Sequence, residues 1–314
     1  TLLTQKLELS SYDSLFVVSE GLGNLVAKRS TVPTSCICLT PLKIAYDEFT
    51  RQRYFGDAHR LHQRIAISAY ARFERPAWGQ YARVFCNSAE TRRRVFEANL
   101  VDPSRLEIAY HGVDVDRFFP TGEREPFLLV AGRMMWAKNI ELAIRAWRAS
   151  KPRASQNNFR LIIAGMVDEK SRGYVAELRR LATGREDIVF VECPSDEQLI
   201  GLYQRCTAVV FTALNEDWGL VPIEGMACGK AVIATDRGGP RESIVHGETG
   251  WLEHDDIESF ASRMSALFEM PDDRLDDIAV AARARAERFQ WDDFVERIDE
   301  HVDELAGVPR PVPV

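Results

Sequence analysis

The residues of this chain best suited to chemistry are two glutamates, Glu216 and Glu224, eight positions apart around a turn, Asn215-Glu-Asp-Trp-Gly-Leu-Val-Pro-Ile-Glu224. Pro222 suits the first position of a helix, where its missing N–H is not needed, so the sequence predicts a strand, a loop, and a helix entered at 221–223. On that reading Glu224 falls in the first helical turn. The N–H groups of Gly219, Leu220 and Val221 then line a helix N-terminus of the kind that holds phosphate. A carboxylate is not a phosphate ligand, but it accepts hydrogen bonds from a vicinal diol such as that of ribose. This is the role open to Glu224, while Glu216 in the loop reaches a sugar beyond the phosphates. Glu224 as a simple complement to the helix dipole is the plainer alternative.

Such residues need a framework, and after residue 120 short apolar runs alternate with amphipathic helical stretches, the pattern of a parallel α/β sheet. Strands are predicted at Phe127–Ala131, Phe159–Ala164, Ile188–Val191, Ala208–Phe211, Ala231–Ala234 and Gly250–Leu252. Six strands suffice for one Rossmann-like domain. The first 110 residues give four more, at Ser14–Val18, Ser35–Leu39, Arg83–Cys86 and Leu106–Ala109, without the strand, glycine-rich turn and helix that open such a domain. Gly21-Leu-Gly23 follows a strand but lacks a third glycine. The expected fold is therefore α/β with two Rossmann-like domains: residues 1–120, incomplete at the N-terminus, residues 121–290, and a C-terminal helix and tail over 291–314. Residues 110–125 read as the linker.

Length and composition agree with two ordinary α/β domains: 314 residues, 46% hydrophobic and 28% charged, with no apolar run approaching the roughly 20 residues that span a bilayer. No signal peptide is recognisable. The six cysteines, Cys36, Cys38, Cys86, Cys193, Cys206 and Cys228, contain no C-x-x-C pair and read as reduced core thiols of a cytoplasmic protein. Asp114-Val-Asp116, the one D-x-D sequence, lies in the linker, and no metal or other cofactor is expected. The net charge of −7 hides an asymmetry. Residues 51–96 hold ten arginines against three acids, interleaved with Tyr54, Phe55, Tyr70, Phe73, Trp78 and Tyr81, whereas residues 253–304 hold seventeen acids against six arginines. The basic stretch is either a solvated helix face or a contact for anionic lipid headgroups or a phosphorylated acceptor. Nucleic acid is not an expected partner, since no nucleic-acid module accompanies the charge.

The spacing of the two glutamates, the Gly219-Leu-Val-Pro-Ile-Glu224 turn, Gly238-Gly-Pro-Arg-Glu242 and Gly247-Glu-Thr-Gly250 resemble the donor-binding domain of glycosyltransferase family four, of the two-Rossmann-domain GT-B kind. Gly132-Arg133 with Lys138-Asn139, and His111-Gly-Val-Asp114 with Phe118 and Pro120, resemble further elements of that family in the same order. The resemblance implies a retaining transferase that moves a hexose from a nucleotide sugar to a glycan or lipid-linked acceptor. It implies Arg133 and Lys138 at the diphosphate leaving group, Glu224 on the ribose, Glu216 on the transferred sugar, and Cys193 and Pro194 near the base. Surface ion pairing is the plainer reading of Arg133 and Lys138. Tyr12-Asp13, Cys38–Asp47 and Phe85-Cys-Asn-Ser88 resemble the O-antigen mannosyltransferases of the same family, which implies GDP-mannose, with a UDP-sugar as the other choice. Leu39 stands where that subset has a histidine. Three readings stay open: an enzyme at the inner face of the membrane, a split or degenerate subunit that binds nucleotide sugar and needs self-association or a partner chain, and a phosphorylase or synthase of the same fold that uses the same donor residues on soluble sugars.

Overall fold

The structure, a computed structural model, describes residues 7–55, 61–150 and 158–307. Residues 56–60 and the side chain of Tyr54, within the basic stretch, and the tail over 308–314 lie outside the described residues. Contacts divide the chain into two units, Thr1–His111 with Asp292–Val314, and Gly112–Trp291.

In the first unit β1 (Leu15–Ser19), β2 (Thr34–Cys38), β3 (Tyr81–Cys86) and β4 (Leu106–Ile108) form a parallel sheet in sequence order. All four predicted strands are found, shifted by one or two residues. Cys36, Cys38, Cys86, Val84, Trp78 and Tyr81 are fully buried in its core. Gly21, with a φ of 132°, is followed by a 3-10 turn over Leu22–Arg29. The helix Leu61–Trp78 buries Glu74 completely, and that carboxylate accepts from Asn24 Nδ2 at 2.9 Å and from the Tyr46 hydroxyl at 2.8 Å. The C-terminal helix Trp291–Ala306 contributes from residue 292 to this unit, because buried His301 sits 2.7 Å from the Ser35 hydroxyl and edge-on to Phe85. His111 packs edge-on to Phe294 at 5.2 Å.

The second unit is a six-stranded parallel sheet ordered β10-β9-β8-β5-β6-β7. Its strands are β5 (Phe127–Ala131), β6 (Arg160–Gly165), β7 (Ile188–Glu192), β8 (Ala208–Phe211), β9 (Ala231–Thr235) and β10 (Gly250–Glu253), each at a predicted position. The four strands of the middle are continuous apolar runs because helices cover both faces. Helix Ile140–Ala149 buries Ile140, Leu142, Ala143, Ile144, Ala146 and Trp147. Helix Asp196–Arg205 starts on a reciprocal cap, Ser195 Oγ accepting from the Gln198 N–H at 3.2 Å and the Gln198 side chain accepting from the Ser195 N–H at 2.9 Å. Strand order reverses between β5 and β8, and a doubly wound sheet opens a crevice at the carboxyl ends of its strands at that point. The loops that follow β5 and β8 carry Arg133, Lys138 and Glu216.

Candidate functional site

The β5 loop begins with Gly132, whose φ of 112° favours glycine, and runs against Gly165 at the end of β6. A Cβ on Gly165 would lie 1.7 Å from the Gly132 carbonyl oxygen, so only glycine permits the approach. Arg133 is exposed at this strand end. Beside it, Asp168 is held below the ordinary carboxylate range, first by the Ser171 hydroxyl and also by the Arg133 charge. A short 3-10 turn, Trp136–Lys138, then ends on Asn139 in the left-handed conformation at φ 49°.

Two bonds tie this turn to the loop after β8. The Leu214 N–H donates to the Ala137 carbonyl at 2.9 Å, and the Thr212 hydroxyl donates to the Lys138 carbonyl at 3.0 Å. They bring Lys138 Nζ to 2.7 Å from Glu216 Oε2, with both side chains about one-fifth exposed. The ammonium also lies 5.5 Å from the centre of the Phe211 ring. The Gly238-Gly239 turn supports Glu216 from the other side. The Gly239 N–H donates to the Glu216 carbonyl at 3.1 Å, and a Cβ at Gly238 or Gly239 would come within 2.0 Å of Glu216 O or 2.2 Å of Trp218 O.

Helix Leu220–Ala227 follows Gly219, whose φ is 91°, and starts earlier than expected. Pro222 therefore takes the third position rather than the first, which is tolerated because the first four N–H groups have no partner within a helix. Glu224 falls in the second turn, not the first. No side chain caps this N-terminus; Gly219 is buried, Val221 half-buried and Leu220 exposed. Gly225 lets the helix lie close on β8, where a Cβ would meet Val209 at 2.7 Å.

Glu224 is partly buried, and its Oε2 accepts from the Tyr203 hydroxyl at 2.6 Å. Burial pushes its carboxyl above the usual range, opposed by the Tyr203 bond and the Lys138 charge. Lys138 thus acts electrostatically on both glutamates. Tyr203 is completely buried, stacked edge-on against Phe118 at 5.7 Å, and burial raises its phenol well above its ordinary value, so it stays a donor. Sequence reasoning missed Tyr203: it lies 21 positions from Glu224 on another helix, and its only signal was a polar tip on the buried face of that helix. Arg283 was missed as well. Its guanidinium donates to the carbonyls of Val115, Phe118 and Ala227 at 2.8–3.1 Å, fixing the linker beside the end of helix Leu220–Ala227.

Cys193 and Pro194 follow β7 on the same sheet edge. Cys193 is exposed in the left-handed conformation at φ 50°, which corrects its expected place among the core thiols; the other five cysteines are buried. The Asp114 carboxylate accepts from the N–H groups of Asp116 and Arg117, closing a turn of the linker.

A chain that holds a doubly wound parallel sheet with this switch-point constellation and a second parallel α/β unit matches the GT-B glycosyltransferases in fold. Residues 115–285 match the family of glycosyl transferases group 1, and the chain belongs to that family. Among curated relatives, it is 31% identical over 201 residues to the alpha-1,3/1,6-mannosyltransferase of Mus musculus, covering 61% of this chain and 48% of the relative. It is 31% identical over 261 residues to the GDP-mannose:cellobiosyl-diphosphopolyprenol alpha-mannosyltransferase of Xanthomonas oryzae, covering 77% and 66%. The chain spans about half the length of the first of these relatives. In fold it is similar to Anabaena HepE in complex with UDP and glucose, with a TM-score of 0.73 at 20% identity over 93% of this chain and 78% of that one. It is also similar to sucrose-phosphate synthase from Thermosynechococcus elongatus, with a TM-score of 0.77 at 19% identity over 95% and 75%.

Proposed function

We propose that the chain is a retaining hexosyltransferase that takes a nucleotide sugar, GDP-mannose in the first place and a UDP-sugar in the second, at the switch point of the second unit. The observation that carries the reading is the Lys138–Glu216 pair, held 2.7 Å apart by the β5 and β8 loops next to an uncapped helix N-terminus. An ammonium has three N–H donors, and Glu216 takes one, which leaves others for a diphosphate. The fork of Arg133 adds a second cation, so the charge on the leaving diphosphate is covered by side chains and no metal is required in this reading. The N–H groups of Gly219, Leu220 and Val221 meet the phosphates. Glu224, one oxygen already engaged by Tyr203, turns the other to the ribose diol, and Cys193 and Pro194 border the base.

In the transfer step the acceptor hydroxyl attacks the anomeric carbon on the face the phosphate leaves, and its proton passes to the departing phosphate oxygen. Arg133 and Lys138 stabilise the developing charge, and Glu216 holds the sugar hydroxyls. The names of the two mannosyltransferase relatives support mannose, and the Xanthomonas oryzae name, with GDP-mannose and a diphosphopolyprenol, supports a lipid-linked acceptor. A donor-hydrolysis and transfer assay with GDP-mannose and UDP-glucose tests the reading. Release of nucleotide with the anomeric configuration kept in the product agrees with it; inversion, or no turnover of either donor, contradicts it.

A further inference from the structure

Tyr203 and Glu224 stand on different helices, Asp196–Arg205 and Leu220–Ala227, and the linker ties the two together. Phe118 lies edge-on to the Tyr203 ring at 5.7 Å. The Arg283 guanidinium donates to the Phe118 carbonyl at 2.8 Å and, at the end of the Glu224 helix, to the Ala227 carbonyl at 2.9 Å. At the start of the Tyr203 helix, Arg117 reaches the Asp196 carboxylate at 2.7 Å. The phenol is therefore fixed relative to the carboxylate it serves. Tyr203 is fully buried, and a buried phenol takes a hydrogen-bond partner, here Glu224 Oε2 at 2.6 Å. The other oxygen, Oε1, accepts no hydrogen bond among the described residues and is reached by solvent. A short bond to a charged acceptor is directional, so holding Oε2 sets the direction in which Oε1 points.

The charged and titratable groups that act on Glu224 are Tyr203, Lys138 of the β5 loop, and the Cys228 thiol just past its own helix. Burial pushes the Cys228 thiol up to about 12, so it stays neutral. Burial also drives the Glu224 carboxyl towards its neutral form, and Tyr203 and then Lys138 oppose it. We propose that Tyr203, held by the linker, is a positioning residue of the donor site: through Glu224 Oε2 it aims Oε1 at the ribose diol and so sets a preference for ribonucleotides over nucleotides without that diol. The proposal rests on the reading of Glu224 as the ribose ligand.

Calorimetric titration of GDP and UDP into the wild type and Tyr203→Phe tests it, together with the dideoxy form of whichever binds, which lacks both ribose hydroxyls. The wild type is expected to prefer the ribonucleotide. Tyr203→Phe should bind it roughly tenfold more weakly, the factor that a hydrogen bond of about 1.4 kcal/mol represents, and bind the dideoxy form unchanged. Without the phenol, burial neutralises the carboxyl at higher pH, so on acidification the ribonucleotide loses affinity earlier in the variant than in the wild type. Titration of the phosphates is common to both nucleotides, and the dideoxy form shows no such displacement. Because Tyr203 acts through Glu224, adding Tyr203→Phe to Glu224→Ala should cost no further affinity. A wild type that binds neither nucleotide, or binds the ribose and dideoxy forms equally, overturns the reading of Glu224 and this proposal with it. A wild type that prefers the ribonucleotide overturns the role of Tyr203 alone in any of three cases: Tyr203→Phe keeps the full preference and the same pH profile, it weakens both nucleotides equally, or it lowers affinity further in the Glu224→Ala background.

Discussion

Replacing Tyr203 by phenylalanine removes one oxygen and leaves the ring that packs against Phe118. The lost group donates at 2.6 Å to a partly buried carboxylate. A hydrogen bond to a charged group contributes about 1.5–3 kcal/mol, and the phenylalanine ring, fully buried like that of Tyr203, offers the Glu224 oxygen no donor in its place. For a unit the size of Gly112–Trp291 each kcal/mol shifts the midpoint by about 2–4 °C, so thermal unfolding should fall by roughly 3–12 °C. The pH dependence gives a second reading. Burial raises the Glu224 carboxyl and the Tyr203 bond lowers it, so Tyr203→Phe raises it further. A carboxyl raised in the folded state binds more protons there than when unfolded. Its stabilising contribution is present below the unfolded value and is lost as pH climbs through the folded one. The variant should therefore lose stability more steeply than the wild type as pH rises above the ordinary carboxylate range of about 4.3. Differential scanning fluorimetry across that range measures both effects. An unchanged midpoint together with an unchanged pH slope would refute the argument that the hydroxyl holds this carboxylate.

Other outcomes follow from the same geometry. On the proposed placement of the ribose, Glu224→Ala should weaken nucleotide-sugar binding by about 1.5–3 kcal/mol in a calorimetric titration, because the ribose hydroxyls would lose a charged acceptor. With Arg133 on the leaving diphosphate, as proposed, Arg133→Ala should depress kcat more than it raises KM in a transfer assay, since such a contact would strengthen as the phosphate departs. Gly165→Ala sets a Cβ 1.7 Å from the Gly132 carbonyl and should lower stability by about 1–3 kcal/mol or more in a denaturant melt. Burial holds the His111 imidazole below its ordinary value, so the unfolded chain takes up its proton first and stability is lost as pH falls below about 6.5. His111→Asn should flatten that slope in melts taken through this window.

The parts of the fold that were legible in the sequence are those governed by local pattern. Phe127–Ala131 and Ala208–Phe211 were bounded correctly because a strand buried on both faces is a plain apolar run, ended here by Gly132 and Thr212. The start of helix Leu220–Ala227 was misplaced because Pro222 suits any of the first helical positions, and the sequence alone does not choose among them. Lys138 and Glu216 were each legible as candidates. Their ion pair was not, since 78 residues separate them and only the adjacency of β5 and β8 brings their loops together. Tyr203 and Arg283 were hidden for a related reason: each does its work on a partner far along the chain. The double glycine at 238–239 stood out as a motif, and its cause, the backbone of Glu216 and Trp218 lying against it, required coordinates.

The donor site is tested most directly by calorimetric titration of GDP-mannose and UDP-glucose into the wild type, Lys138→Met and Glu224→Ala. The wild type is expected to bind at least one donor saturably, with affinity lowered at least tenfold in each variant, the equivalent of about 1.4 kcal/mol. Absence of binding to the wild type, or equal affinity in all three proteins, would contradict it.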